Sequence, residues 1–418
     1  MALSFLVVGL LCFVPSLASP PLVEAPSDTL VKGEEEWRAD AVDKLWKERE
    51  LMKYTPLVDL KMPGPWKARI MLKNESASRT ESVKHRYAWA LFMWALLEGH
   101  VGNDTRVFEA SSGNSACSEA YMARLLGVNY TAIVPDTLET SKEERIRKFG
   151  AEVIRVPIGN RLTEATRMAK ESGGFFMNQF ANADRAEEFH SGGMPHREST
   201  NVFYEITQQL EARKERPPSF FVHSAGTGGT ISSVGRFAKK YNLPTKVVLA
   251  DTEFSVYADY VLLGRFRNES GQPHWVSPGM AGIGYGSMGA VRKGETSSLD
   301  RAVIDEVYKV PDIASTAAMR VMKELGIAGG TSTGIDILSA LSIAAKNNNN
   351  STLIVTVIGD NAVYYSDSYY DTKWIASKFA KHGGLEAYEC WTKAIRHAIR
   401  LAEDPIETGR KRCATKSL

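Results

Sequence analysis

From residue 68 onward, short apolar, β-branched runs alternate with longer stretches of helical spacing, and this alternation admits few architectures. Strands are expected at 68–73, 106–109, 130–134, 152–156, 219–223, 246–250 and 351–358. Helices are expected between and after them at 87–97, 114–126, 141–149, 163–171, 231–241, 315–325 and 334–345. The pattern predicts an α/β protein with mostly parallel sheets and helices on both faces. Ligands of such sheets bind beyond the carboxyl ends of the strands, so the strand-to-helix turns become the places to search. Upstream, 37–53 reads as a charged amphipathic helix and the proline-rich 56–65 as a loop. With 418 residues, the chain is long enough for one large domain or two lobes.

A formal charge of +2 gives no field for nucleic acid or a membrane surface. The first 18 residues form an apolar run ending in Ser16-Leu17-Ala18, shorter than the roughly 20 residues of a spanning helix. They read as a cleaved signal peptide, with a signal anchor and then a buried N-terminal helix as the alternatives, and the first reading places the protein in the secretory pathway with no membrane contact after cleavage. Sequons at Asn74, Asn103, Asn129, Asn268, Asn349 and Asn350 agree with a secreted glycoprotein. Cys12 leaves with the signal; of the other cysteines, Cys390 and Cys413 are candidates to pair, and Cys117 falls on a predicted helix as a small buried hydrophobe. No cysteine or histidine spacing suggests a metal site.

Four turns carry polar chemistry. Ala225-Gly226-Thr227-Gly228-Gly229-Thr230 follows an apolar strand and opens a helix. Glycines there let backbone amides face a ligand, and the helix start favours an anion, so the turn reads as a phosphate cradle or as a plain tight turn. Ser111-Ser112-Gly113-Asn114-Ser115 is denser in hydroxyls than a helix cap requires and reads as a carboxylate receptor, with capping as the alternative. Gly330-Thr331-Ser332-Thr333-Gly334 and Gly282-Ile283-Gly284 are weaker signals. Lys84 opens a long apolar helix, where the helix dipole disfavours its charged form and favours the neutral amine that attacks an aldehyde. A surface lysine in the first turn is the plainer reading.

Ser82-Val83-Lys84, Ser112-Gly113-Asn114, Gly226-Thr227-Gly228-Gly229-Thr230 and Gly330-x-Ser332-x-Gly334, in that order, resemble the cysteine synthase/cystathionine β-synthase family of fold-type-II pyridoxal 5′-phosphate enzymes. Glu109 to Asn114, Ser118 to Arg124 and Tyr365 to Trp374 are most similar to its L-cysteine desulfhydrase branch. The resemblance spans roughly residues 55 to 375. It implies a tryptophan-synthase-β-like fold with a smaller lobe at about 77–180 and a larger one from 55–76 plus 181–375. The segment 19–54 is then an N-terminal extension, and 376–418 a C-terminal tail in which 385–401 has helical spacing. Lys84 would hold the cofactor covalently, Gly226, Thr227, Gly228, Gly229 and Thr230 its phosphate, Asn114 its ring oxygen and Ser332 its ring nitrogen, with Asp336 as a rival to Ser332. Ser111, Ser112, Ser115 and Gln179 would grip the substrate carboxylate. The implied reaction is β-elimination or β-replacement on cysteine, serine or O-acetylserine, in a homodimer. The alternatives are a serine/threonine dehydratase and a non-catalytic binding protein that keeps the fold. The chain departs from the family pattern at Glu81, where glycine is usual, at His85, where aspartate is usual, and at Ala116, where glycine is usual.

Overall fold

The computed structural model describes residues 28–138, 140–186, 199–264, 276–286 and 292–413. The expected signal segment, Cys12 and the Asn268 sequon lie outside these residues. The described residues begin with α1 (Asp28–Met52), β1 (Leu57–Asp59) and β2 (Arg69–Asn74), followed by α2 (Lys84–Leu97). Next come β3 (Val107–Glu109), α3 (Asn114–Leu126), β4 (Tyr130–Pro135), α4 (Thr140–Lys148), β5 (Glu152–Val156), α5 (Arg161–Ser172), β6 (Phe175–Phe176) and α6 (Gln179–Ala186). Then follow α7 (Val202–Ala212), β7 (Phe220–Ser224), α8 (Gly229–Lys240), β8 (Lys246–Thr252), α9 (Tyr257–Leu263) and β9 (Glu306–Val310). The chain closes with α10 (Asp312–Glu324), α11 (Thr331–Lys346), β10 (Leu353–Ile358), α12 (Thr372–Lys378), α13 (Gly384–Leu401) and α14 (Pro405–Arg412).

Two sheets result. Four strands in the order β5-β4-β3-β6 are all parallel. Six strands in the order β1-β2-β10-β7-β8-β9 are parallel except for β1, which pairs antiparallel with β2. Central strands such as β10 and β4 are buried at every residue, as strands covered on both faces must be. The proline-rich 56–65 segment, expected as loop, contributes β1, because Leu57 to Asp59 find an unpaired edge on β2.

The apolar face of α2 packs with α3 and the four-stranded sheet in one core; β2, β8 and β10 pack with α10, α11 and α13 in another. In the C-terminal segment the expected helix docks on the fold: Tyr388, Trp391, Ile395 and Ile399 of α13 are buried in the larger core. A disulfide between Cys390 and Cys413 ties α13 to the end of α14, and Cys117 is a buried free thiol on α3. Arg410, Lys411 and Arg412 are exposed, but on a helix.

Candidate active site

The turn after β7 shows why its glycines cannot be replaced. Gly228, which caps α8, has φ +87°, and a Cβ there would lie 2.5 Å from the Leu299 backbone. A Cβ on Gly226 would lie 2.3 Å from the Gly282 carbonyl oxygen, so the second glycine-rich loop, 282–284, packs directly on the first. Three consecutive carbonyls are already committed: Ala225 accepts from Gly284 N–H at 2.8 Å, Gly226 from the Tyr257 hydroxyl at 2.8 Å and Thr227 from Ser298 N–H at 2.7 Å. The amide edge remains for a ligand. The first amides of α8 have no acceptor one turn back in the helix, and the helix dipole adds partial positive charge there.

Lys84 is the first residue of α2. Its amine makes no hydrogen bond or ion pair among the described residues; the Tyr87 ring centroid lies 5.3 Å away. Burial pushes the lysine pKa down, against attraction from Glu119 and Asp360. The amine and the glycine turn share one cavity. Its walls include Lys84, Asn114, Gly226, Thr227, Gly228, Thr230, Ser332 and Asp360. Gly229 stands just behind, its N–H 3.3 Å from the Thr227 hydroxyl. A larger chamber of about 780 Å³ opens beside it, lined by Lys84 and Asn114 again and by Ser111, Ser112, Ser115 and Gln179. Lys84, the glycine turn, Asn114, Ser332 and the four residues expected to grip a carboxylate thus come together around two joined spaces.

The structure adds detail to these positions. Asn114 gives its amide nitrogen to Asp360 at 2.7 Å and accepts from Arg145 at 2.9 Å. Ser332 lines the cavity so closely that a Cβ on Gly359 would come within 2.5 Å of its hydroxyl. Asp336, the rival to Ser332, is fully buried and holds His223 Nδ1 at 3.0 Å instead of lining the cavity. Ser115 Oγ donates to Gln179 Oε1 at 2.5 Å.

Sequence reasoning missed Asp360, Tyr365, Arg145 and Tyr364. Asp360 accepts from the Tyr365 hydroxyl at 2.6 Å, and the Arg145 guanidinium lies 3.4 Å over the Tyr364 ring. Asp360 follows β10 at its carboxyl end, where ligands of parallel sheets gather, so topology alone marks that position. Arg145 carried no such signal, because α4 reads as an ordinary charged surface helix. Among the described residues no group of side chains has the makings of a metal site, and no helix is long and apolar enough to cross a membrane.

An unpartnered amine, a glycine-enforced anion seat at a helix N-terminus and a serine hydroxyl in one cavity fit pyridoxal phosphate, which carries an aldehyde, a phosphate and a ring nitrogen. Comparison with known proteins agrees. The model of the family described as pyridoxal-phosphate dependent enzyme matches residues 49–360. A Caenorhabditis elegans protein named as pyridoxal-phosphate dependent is 43% identical over 421 residues, covering 98% of this chain and 97% of its own. An L-cysteine desulfhydrase of Mycobacterium tuberculosis is 32% identical over 350 residues, covering 82% of this chain and 90% of its own. The crystal structure of an O-ureido-L-serine synthase superposes with a TM-score of 0.64 at 24% identity, over 79% of this chain and 98% of that one; this likeness speaks to the fold.

Proposed function

The chain belongs to the family of pyridoxal-phosphate dependent enzymes, and from that premise we propose that it eliminates or replaces the β-substituent of a small amino acid: cysteine, serine or O-acetylserine. Pyridoxal phosphate is its cofactor. The relative named as a cysteine desulfhydrase supports the sulfur amino acid among these substrates. The observation that carries the reading is the single cavity shared by the Lys84 amine and the Gly226–Thr230 turn, with a hydroxyl-lined chamber opening from it.

When bound, the cofactor supplies an aldehyde that takes up an amine and a ring that accepts the electron pair left at Cα. The chain's own residues do the rest. Lys84 would hold the aldehyde, and its neutral nitrogen is the base placed to take the Cα proton of the substrate. Burial, which already lowers its pKa, favours that neutral form. The amides and hydroxyls of Gly226 to Thr230 hold the phosphate, with Gly229 starting the helix whose dipole they use. Ser332 would give the ring nitrogen a neutral partner, which suits loss of a β-leaving group over transamination. Ser111, Ser112, Ser115 and Gln179 hold the substrate carboxylate and so orient Cα toward Lys84.

Purified protein with the cofactor added should show a visible absorbance band that Lys84→Ala lacks. Sulfide from cysteine, pyruvate from serine and acetate from O-acetylserine then identify the reaction. Absence of the band in the unaltered protein would overturn the proposal.

The secretory pathway is proposed as the site of action. The apolar leader, the Cys390–Cys413 disulfide and exposed sequons at Asn103, Asn129, Asn349 and Asn350 support it. A mobility shift on endoglycosidase treatment of protein made in eukaryotic cells tests it, and no shift would count against it.

A further inference from the structure

The serine loop is tied down by a side chain that the reaction above does not use. Glu109, the last residue of β3, is fully buried. Its two carboxylate oxygens accept from two separate segments: Oε1 from Ala110 N–H at 2.7 Å, Oε2 from Gln179 N–H at 2.8 Å. Gln179 is held at two further points, its carbonyl accepting from the Tyr87 hydroxyl at 2.9 Å and its side chain from Ser115 at 2.5 Å. One carboxylate therefore joins the start of the Ala110–Ser115 loop to the start of α6, the two pieces that carry the carboxylate-gripping residues.

A second buried carboxyl stands close by. Glu119 lies one helical turn after Ser115 on α3, takes the Tyr130 hydroxyl at 3.2 Å on Oε2, and leaves Oε1 without a hydrogen bond among the described residues. No cation forms an ion pair with either carboxyl among those residues; the positive charge that draws Glu119 down is the Lys84 amine. Two carboxylates in such surroundings cannot both ionise. The one that accepts two N–H bonds keeps its charge and the other keeps its proton.

We propose that Glu109 is a positioning residue: its buried carboxylate fastens the serine loop to Gln179 and so sets the affinity of the subsite for the substrate carboxylate. The inference rests on the reading of that loop as a carboxylate receptor. A protonated Glu109 offers one acceptor and one donor where the chain presents two donors, so the two segments part as the group takes up its proton. Burial, opposed by the two N–H bonds, pushes Glu109 up to about 7, and burial with repulsion from Glu109 raises Glu119 further. Substrate affinity should therefore fall as pH drops through about 7.

L-alanine carries the carboxylate but no β-leaving group. Its dissociation constant is read from the cofactor absorbance of the holoenzyme between pH 6 and 9, wild type against Glu109→Gln. An amide can satisfy only one of the two N–H groups, so Glu109→Gln should bind L-alanine about tenfold more weakly at pH 8 and lose the acid limb. With L-cysteine, KM should rise while kcat changes little. Glu119→Gln, neutral like the protonated acid, should follow wild type. The ratio of variant to wild type cancels the titrations of ligand and cofactor. The proposal is overturned if Glu109→Gln keeps the acid limb, if Glu119→Gln costs as much as Glu109→Gln, or if wild type has no acid limb; this last measurement needs no variant. Ser115→Ala and Gln179→Ala separate the two readings. If neither weakens L-alanine, the carboxylate reading fails; if both do and Glu109→Gln follows wild type, only the present inference fails.

Discussion

Replacing Arg86 with methionine should unfold the catalytic helix's main anchor. Arg86 stands two residues beyond Lys84 and is almost fully buried. Its guanidinium donates to both oxygens of Glu75 at 2.8 Å, to Glu205 at 2.9 and 3.1 Å, and to the Thr200 carbonyl at 2.8 Å. Glu205 retains Lys73 at 2.9 Å and Arg49 at 3.4 Å, but Glu75 is left, among the described residues, with the Thr55 hydroxyl as its one side-chain hydrogen bond and with the more distant charges of Lys73 and Arg49. Breaking a buried pair from one side costs about 3–5 kcal/mol, because the stranded carboxylate stays buried. A second route gives a similar size. Burial alone would raise Glu205, yet Arg86 and Lys73 bring it from 4.5 to about 2. At about 1.4 kcal/mol per tenfold change in acidity, that is roughly 3 kcal/mol of stability at neutral pH, shared between Arg86 and Lys73, so it is an upper bound on the Glu205 part lost with Arg86. The sign follows: a depressed carboxylate stabilises above its unfolded pKa, and the contribution disappears as pH falls from about 5 toward 2. Urea unfolding of Arg86→Met at pH 7 should therefore show a loss of about 3–5 kcal/mol, much of it recovered in Arg86→Met/Glu75→Gln. Cofactor affinity should fall as well, because Lys84 shares the loosened first turn. A loss below about 1 kcal/mol, or no recovery in the double variant, would show that apolar packing of α2 holds the helix without the ion network.

Gly228→Ala should abolish cofactor retention, measured by cofactor titration, because its φ of +87° and the Leu299 backbone 2.5 Å away leave no room for a methyl. Glu119→Gln should stabilise the protein at pH 7–8. A carboxyl raised by burial destabilises the fold progressively above its unfolded pKa, and denaturant midpoints across pH 5–8 would show the gap widening. Cys390→Ser removes a link 23 residues apart, so non-reducing thermal melts should register a loss of about 3 kcal/mol with turnover at 25 °C retained.

The parts of the site that sequence made legible are those written in local chemistry. A glycine run between an apolar strand and a helix has few other uses, and the turn at 226–230 sits where the pattern placed it. The start of α2 was less legible. Lys84 opens the helix, as its placement suggested, but nothing in the sequence assigned partners to His85 and Arg86, which share its first turn. Their polarity answers partners on other elements: Glu48 for His85, and for Arg86 both Glu75 and the distant Glu205. Hydrophobic periodicity cannot register a buried charge whose partner lies more than a hundred residues away. Ser332 against Asp336 shows the same limit. Both lie in the first turns of α11, and only the placement of His223 on β7 decides which one faces the cavity.

The departures from the family pattern around Lys84 acquire a physical account on these terms. Glu81 has φ +60°, a conformation that costs an ordinary residue on the order of 1 kcal/mol and a glycine little, which explains why glycine is usual there. In this chain the side chain offsets part of that cost by accepting from the Tyr364 hydroxyl at the rim of the chamber, under the Arg145 guanidinium. His85 reaches Glu48 of α1 at 3.1 Å, and the same carboxylate takes the Tyr121 hydroxyl at 2.9 Å and Arg79 at 3.2 Å. Trp89 of α2 donates to the Leu45 carbonyl at 2.5 Å and meets Trp46 edge-on at 5.1 Å. An aspartate at position 85 would face Glu48 with like charge and detach α1. The substitutions thus belong to one arrangement: the N-terminal helix is bound to the back of the helix that presents Lys84, and the loop before it is bound to the chamber rim. A chain that had lost its chemistry would have no reason to keep the amine of residue 84 free between these two ties.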